Sequence, residues 1–374
     1  MKKIVILLSM LVLCFAALCG CAKLKNDTST YFVREHIEPD NTRNSVVKGI
    51  DSYDRLRESL EDIISKVQTD VSLVVVNYEG DLRSDLDSLS YYLTHEYPLG
   101  TYGVASIKFN TSFIASYCEV ETKITYSRPY DEISGVMQVI SPDEVDDMLC
   151  SMIKTRDLHR AFSFSGFNVG QEYIEECFYK AWLQSYCHAY GIKGVSFTWF
   201  PSAESGSCIV DVKISLTDSI LDIEEKVKQT QKAAATIASD CASVKAEDKV
   251  RFVLNWLKEN VYFDRYAGEV FDDVGWSIPK TDNYTASGAL LNGSAANSGI
   301  TLAASVLLDE LGIKNRVIKG RIYDRDHMWI CISIDGESYF VDPSGIYHKS
   351  YDSCFTEARK ATEYKWDPKI YSLE

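Results

Sequence analysis

His327-Met328-Trp329-Ile330-Cys331-Ile332-Ser333-Ile334-Asp335-Gly336-Glu337-Ser338-Tyr339-Phe340-Val341-Asp342-Pro343-Ser344 reads as two strands closed on each other. Asp335-Gly336 is the hairpin signal, since the tight turn between two strands needs residues that tolerate positive φ. Neighbouring strands lie about 4.8 Å apart, so side chains on one face of His327's strand and Asp342's strand can meet. Upstream, Gly299-Ile300-Thr301-Leu302-Ala303 opens an apolar helix that runs to Leu308 and ends at Leu311-Gly312-Ile313. A helix start, a histidine and a carboxylate are the parts of a nucleophilic triad. A thiolate works best at a helix N-terminus, where unpaired N–H groups and the dipole lower its pKa. The histidine handles its proton, and the carboxylate holds the imidazole in one tautomer.

Four segments in this order resemble the transglutaminase-like family, whose fold is related to papain-type cysteine proteases. The likeness spans roughly residues 246–345. Glu247-Asp248-Lys249-Val250 with Trp256-Leu257-Lys258-Glu259-Asn260-Val261 resembles the family's first helix, and Phe263-Asp264 its Tyr-Asp ending. Tyr284-Thr285-Ala286-Ser287-Gly288-Ala289-Leu290 with Asn292-Gly293 resembles the approach to the nucleophile helix. That helix, the His-x-Trp strand at His327-Met328-Trp329 and the Asp-Pro strand at Asp342-Pro343 complete the set. The resemblance implies an α+β fold, triad positions at Asn297, His327 and Asp342, and a cleft with Tyr284, Ser294, Thr301 and Trp329.

The chain departs from the family at the nucleophile. Gly293-Ser294-Ala295-Ala296-Asn297-Ser298-Gly299 carries Asn297 where the family has cysteine. A carboxamide is neutral, has no ionisable proton near neutral pH and forms no thioester. Cys331 shares a strand face with His327, but four residues at about 3.3 Å each put it some 13 Å away. Ser298 points about 100° around the helix. Ser294, and Thr301 one turn on, are hydroxyl candidates with no activating neighbour in the sequence. Lost cysteine chemistry is the preferred reading.

Outward from this region, residues 219–245 carry a 3-4 apolar spacing (Ile220, Ile223, Val227, Thr230, Ala234, Ile237, Cys241, Val244) and predict one connecting helix. Thr, Ala and Cys make a weak coiled-coil seam, so packing against a neighbouring domain is expected. Before it, an α-β-α-β-β order occurs twice, over residues 51–130 and 131–218. Gly103 and Gly194 are 91 residues apart; Cys118 and Cys208, and Lys123 and Lys213, are each 90 apart. Two units of one topology are expected. No Gly-rich phosphate loop, helical His-Glu pair or carboxylate cluster marks them for chemistry. His95, His159 and His188 fall at non-equivalent places and read as structural or surface residues.

The N-terminus reads as an address. Lys2 and Lys3 precede an apolar run, Ile4 to Ala17, too short to span a bilayer core of about 20 apolar residues. Leu18-Cys19-Gly20-Cys21 resembles the lipobox of bacterial lipoproteins, which implies a signal peptide over 1–20 and lipid on Cys21. Residues 21–50 are expected to tether residues 246–374 and the two repeat units to the extracytoplasmic face of the cell membrane. The whole chain has 374 residues, 46% apolar and 25% charged, an ordinary globular balance. Its net charge of −15, with no basic run, argues against a nucleic-acid partner. Eleven cysteines become eight once Cys14, Cys19 and Cys21 are set aside. No spacing resembles a metal site, and no cofactor is expected. Buried small hydrophobes are the preferred reading of the eight, with disulfide pairing open.

Three functions follow. The leading one is a lipid-anchored surface protein whose silent transglutaminase-like cleft holds a peptide, protein or cell-wall ligand. The second is an active amide hydrolase or acyltransferase with a substituted nucleophile. The third is a structural lipoprotein that binds through its N-terminal repeats.

Overall fold

The computed structural model describes residues 45–114, 116–164, 170–201, 207–266, 282–323 and 325–372. The expected leader, Cys21 and the expected tether up to residue 44 lie outside the described residues. Asn44–Glu374 clusters as one compact unit. The fold is α+β.

The first sheet takes β1 (Ser45–Ile50), β2 (Asp70–Val75), β3 (Val104–Ile114) and β4 (Tyr117–Tyr126) in the order β1-β2-β4-β3. β1 is parallel to β2, and β4 is antiparallel to both its neighbours. Helices α1 (Tyr53–Ser65) and α2 (Leu82–His95) bury Leu56, Leu60, Ile63 and Ile64, and Leu86, Leu89 and Leu93. Spacing of three and four places each set on one helical stripe. Cys118, Val120, Thr122 and Ile124 of β4 are buried at every second position, as a strand with one covered face requires. A short helix, α3 (Pro98–Gly103), leads into β3, and another, α4 (Tyr130–Ser134), follows β4.

The second sheet has the same plan. β5 (Met137–Val139), β6 (His159–Phe164), β7 (Ile192–Phe200) and β8 (Cys208–Leu216) run in the order β5-β6-β8-β7, with the same parallel and antiparallel pairings. Helices α5 (Pro142–Thr155) and α6 (Gln171–Gln184) stand where α1 and α2 do. Cys118 pairs with Val75, the last residue of β2, and Cys208 with Phe164, the last of β6. Both sheets bulge at the start of their third strand, between Val104 and Ser106 and between Ile192 and Gly194.

This register corrects one landmark. Gly194 matches Ser106 rather than Gly103; the match of Gly103 is Gly191. Ser127 N–H donates to the Gly103 carbonyl, and Thr217 N–H to that of Gly191, each at 2.8 Å. Each unit also begins with a strand that the α-β-α-β-β pattern lacks, and β1 falls within the stretch expected to be tether. Val46, Val47 and Ile50 do not alternate and β5 has only three residues, so neither shows a usable period; each is recruited by the neighbour it pairs with.

The connecting helix is shorter than its apolar spacing suggested. α7 spans Ile220–Ser239 and buries Ile223, Val227, Thr230, Ala234 and Ala238. Val244 is 90% exposed, and the Ser243 hydroxyl accepts from Lys245 N–H and donates to Asp248, turning the chain into α8 (Ala246–Asn260).

The remainder comprises β9 (Tyr262–Phe263), α9 (Ala286–Asn292), β10 (Ser294–Ala295), α10 (Asn297–Glu310) and a five-stranded antiparallel sheet. That sheet orders β11 (Asn315–Ile322), β12 (Arg325–Ile334), β13 (Glu337–Val341), β14 (Phe355–Glu357) and β15 (Tyr364–Lys365) as β14-β13-β12-β11-β15, with a short α11 (Tyr351–Cys354) before β14. α10 is buried on all sides from Asn297 to Leu308, as a central helix must be when its sequence is apolar all round. Val317, Met328, Ile330 and Ile332 belong to its core, which is continuous with that of the second unit. Ile318, Trp329, Cys331 and Phe340 form a separate cluster with Tyr364 and Tyr371. The eight cysteines from Cys118 to Cys354 are free thiols, six of them buried. Among the described residues no helix is long and apolar enough to cross a membrane.

Candidate functional site

The start of α10 is fixed from two sides. α9 ends on Gly293, whose φ of +67° is the left-handed turn that glycine favours, and the chain re-enters as β10, parallel to β9. Ala296 N–H then donates to the Asn283 carbonyl at 2.9 Å. A Cβ on Gly299 would lie 2.2 Å from that same carbonyl oxygen, so only glycine lets the first turn seat against the turn formed by Asp282–Tyr284. Asn297 is the first helical residue and is 5% exposed.

From there a hydrogen-bonded chain crosses to the sheet. Asn297 Nδ2 lies 3.4 Å from His327 Nδ1, and His327 Nε2 lies 2.9 Å from Asp342 Oδ1. Asp342 follows the last residue of β13 and is 1% exposed. Burial would raise its carboxyl pKa. The hydrogen bond and charge of His327, the Lys349 ammonium and the Gly345 N–H outweigh that and hold it below the usual range. An ionised carboxylate only accepts, so the proton sits on Nε2. In the neutral ring Nδ1 is then an acceptor, which turns the Asn297 amide so that its Nδ2–H points at the ring.

That geometry has a chemical consequence. A general base needs a free lone pair facing a nucleophile that can lose a proton. Here the lone pair of Nδ1 faces a carboxamide N–H, which has no proton to give near neutral pH. The arrangement orients an imidazole and offers hydrogen bonds; it holds no nucleophile at the helix start.

The other expected cleft residues divide. Tyr284 closes the 3-10 turn before α9 and is 7% exposed, and Ser294 is half-buried on β10. Thr301 is wholly buried, with no partner for its hydroxyl, so it cannot meet a substrate as a nucleophile. Ser298 is buried in the same way. Trp329 lies in the core rather than along an open surface: it is 0% exposed and packs edge-on to Tyr364 and Trp366, with ring centroids 4.9 and 6.3 Å away. Cys331 is in the same cluster, and burial pushes its thiol pKa up.

Sequence reasoning missed the groups behind the acid. Ser344 Oγ and Gly345 N–H donate to Asp342 Oδ1 at 3.2 and 3.0 Å, and Lys349 Nζ stands 3.4 Å from Oδ2. Gly345 is required there, because a Cβ would sit 2.6 Å from Asp342 Oδ2 and 3.1 Å from Cys354 Sγ. Asp342-Pro343-Ser344-Gly345 held the signal for the first two; nothing local marks Lys349. A second buried acid also escaped. Asp211 on β8, 2% exposed, accepts from His159 at 2.5 Å and pairs with Arg128 at 3.1 Å. His159 is therefore not isolated. No cluster of His, Cys, Asp and Glu able to hold a metal occurs among the described residues.

No protein-family profile matches the chain, and no curated protein matches it. Solved structures do. A crystal structure of a TGase (transglutaminase) aligns over 87% of this chain and 83% of its own, at 12% identity and a TM-score of 0.28. A candidate cysteine protease from Cytophaga hutchinsonii aligns over 49% of this chain and 74% of its own, at 12% identity and a TM-score of 0.26. A candidate protease from Parabacteroides distasonis covers 72% and 39%, at 10% identity and a TM-score of 0.21. Superpositions this loose carry no functional argument, which has to come from the site itself.

Proposed function

We propose that the chain is a lipid-anchored surface protein whose C-terminal, transglutaminase-like region (246–374) is catalytically silent and uses its cleft to hold a peptide, protein or cell-wall ligand. One observation carries the silent site. The atom facing His327 Nδ1 at the helix start is an amide nitrogen of Asn297, at 3.4 Å, where a thiol would have to lose its proton. The Ser298 and Thr301 hydroxyls are buried, which removes two of the three hydroxyl substitutes. The anchor rests on Lys2 and Lys3, the short apolar run after them and Leu18-Cys19-Gly20-Cys21. In this reading the mature chain begins at lipidated Cys21, and 51–130 and 131–218 are two repeat units joined to the cleft region by the connecting helix.

The test is turnover and labelling. Wild-type protein should neither hydrolyse nor cross-link peptide amides and should show no active-site thiol labelling. Asn297→Cys should be alkylated selectively, because it places a thiol at a helix N-terminus beside an imidazole. Turnover by wild type that is lost in Ser294→Ala would overturn the silent site and put a serine-dependent enzyme in its place. An unmodified N-terminus in mass spectrometry would overturn the anchor.

A further inference from the structure

The negative charge that faces His327 already has a second counter-ion. Asp342 is buried, and its two oxygens are used differently. Oδ1 collects His327 Nε2, Ser344 Oγ and Gly345 N–H; Oδ2 faces Lys349 Nζ at 3.4 Å. The Lys349 side chain is 39% exposed, so its ammonium stays hydrated at the surface while its charge reaches the buried carboxylate. Two other titratable groups feel Asp342. Cys354, pushed up to about 12 by burial, and Tyr364, pushed up further by burial, are both neutral. Lys349 thus brings a second cation to a carboxylate that His327 already contacts.

An imidazolium in a low-dielectric site is stable only if an anion is left to face it. With Lys349 in place the field of the carboxylate at His327 is partly cancelled, so a second proton on the ring gains less from it. Double protonation would also put N–H on Nδ1, against the Asn297 Nδ2–H, and force that amide to turn over. We propose that Lys349 is a positioning residue that, by sharing the Asp342 carboxylate, keeps His327 a neutral, Nε2-protonated ring whose Nδ1 lone pair accepts from the Asn297 amide. The inference rests on the silent-site reading above, in which Asn297 faces that lone pair.

The experiment uses the full chain, labelled with ¹⁵N-histidine. The signal of His327 is assigned by its disappearance in His327→Gln, and the ratio of doubly to singly protonated ring is read from the ¹⁵N shifts at pH 6.5. Lys349→Met should raise that ratio about tenfold, about 1.4 kcal/mol between the two protonation states. Lys349→Arg, which keeps the charge, should leave it near the wild-type value. An unchanged or lower ratio in Lys349→Met overturns the inference. So does a rise of the same size in Lys349→Arg, since shape rather than charge would then be at work. The reading it rests on fails separately, through peptide turnover by wild type, and the ring signal decides the role of Lys349 in either case. A second readout comes from the Asn297→Cys background, where adding Lys349→Met should speed alkylation by iodoacetamide at pH 6 by a similar factor; slower alkylation counts against the inference.

Discussion

Asn297, His327 and Asp342 come from three places in the chain, and each is legible for a different reason. His327 and Asp342 are flagged by their strands and by the Asp335-Gly336 turn that folds those strands together. Asn297 is flagged by what it is not, a residue at a helix start where chemistry would want a thiol. The supports of Asp342 were illegible, because Lys349 meets it across a 3-10 turn, Ser344–Tyr347, that no periodicity announces. Gly345 is the sharpest case. Its backbone has no unusual φ, so its need for glycine lies wholly in the space that Asp342 and Cys354 occupy. Gly345→Ala is expected to cost about 1–3 kcal/mol, the usual range for overpacking a closed site, and to push Asp342 away from His327. Chemical denaturation would measure the first, and loss of the downfield His327 ring N–H resonance the second. An alanine variant with wild-type stability and an intact resonance would mean that the turn has slack the contact distances deny.

At the level of elements, the two sheets show how one topology can carry two surfaces. Cys118 and Cys208 occupy one register position, so Glu121 on β4 and Asp211 on β8 correspond. Glu121 is exposed and accepts from Asn110 at 3.1 Å. Asp211 is covered, because α3 places Tyr102 against Ala161 and Ile209 on the outer face of the second sheet. Arg128 then bridges the units. It donates to the Tyr102 carbonyl at 2.9 Å, lies over the Tyr102 ring at 4.1 Å and pairs with Asp211. Asp211→Ala should therefore cost about 3 kcal/mol, since it strips a buried ion-pair network of its anion. Glu121→Ala, at the same place in the other sheet, should stay within about 0.5 kcal/mol. Equal losses in urea melts would refute the assignment.

The same network carries a pH dependence. Burial raises the Asp211 carboxyl, and the His159 bond with the charges of His159, Arg128 and Lys213 outweighs it, so the folded pKa is depressed. A carboxyl with a depressed folded pKa contributes stability that is present above its unfolded value, about 3.9, and is lost as the pH falls toward the folded one. The joint should weaken below roughly pH 4, and Asp211→Ala should flatten that part of the profile. Alternating strand patterns made these strands readable. The joint was not, because β8 buries Ile209 and Asp211 on the face that its own alternation marks as solvent.

For the molecule as a whole, the division of cores matters more than the division of sequence. Charge and composition can be read without a structure because they need no partner. Boundaries cannot, because they depend on which apolar faces meet. The first sheet and its helices share one core, from Ile50 to Ile124. A second core starts at Val139, takes in Phe178, Trp182 and Val212 of the second unit, continues through Val227 on α7 and Leu254 on α8, and includes α10 and the inner face of the last sheet. Residues that share a core lose their packing together, so cooperative units follow cores rather than repeats. The second repeat should consequently unfold with the C-terminal region and not with its sister, in spite of their common topology. Native-state hydrogen exchange in increasing urea is the measurement. Amides of β8 should open at the same free energy as those of α10 and β12, and amides of β2 and β4 at a different one. Arg128 and Tyr102 bridge the two units, so Asp211→Ala should widen the gap. If β8 instead opens with β4, the continuous core is not a cooperative one, and the repeat is the folding unit after all.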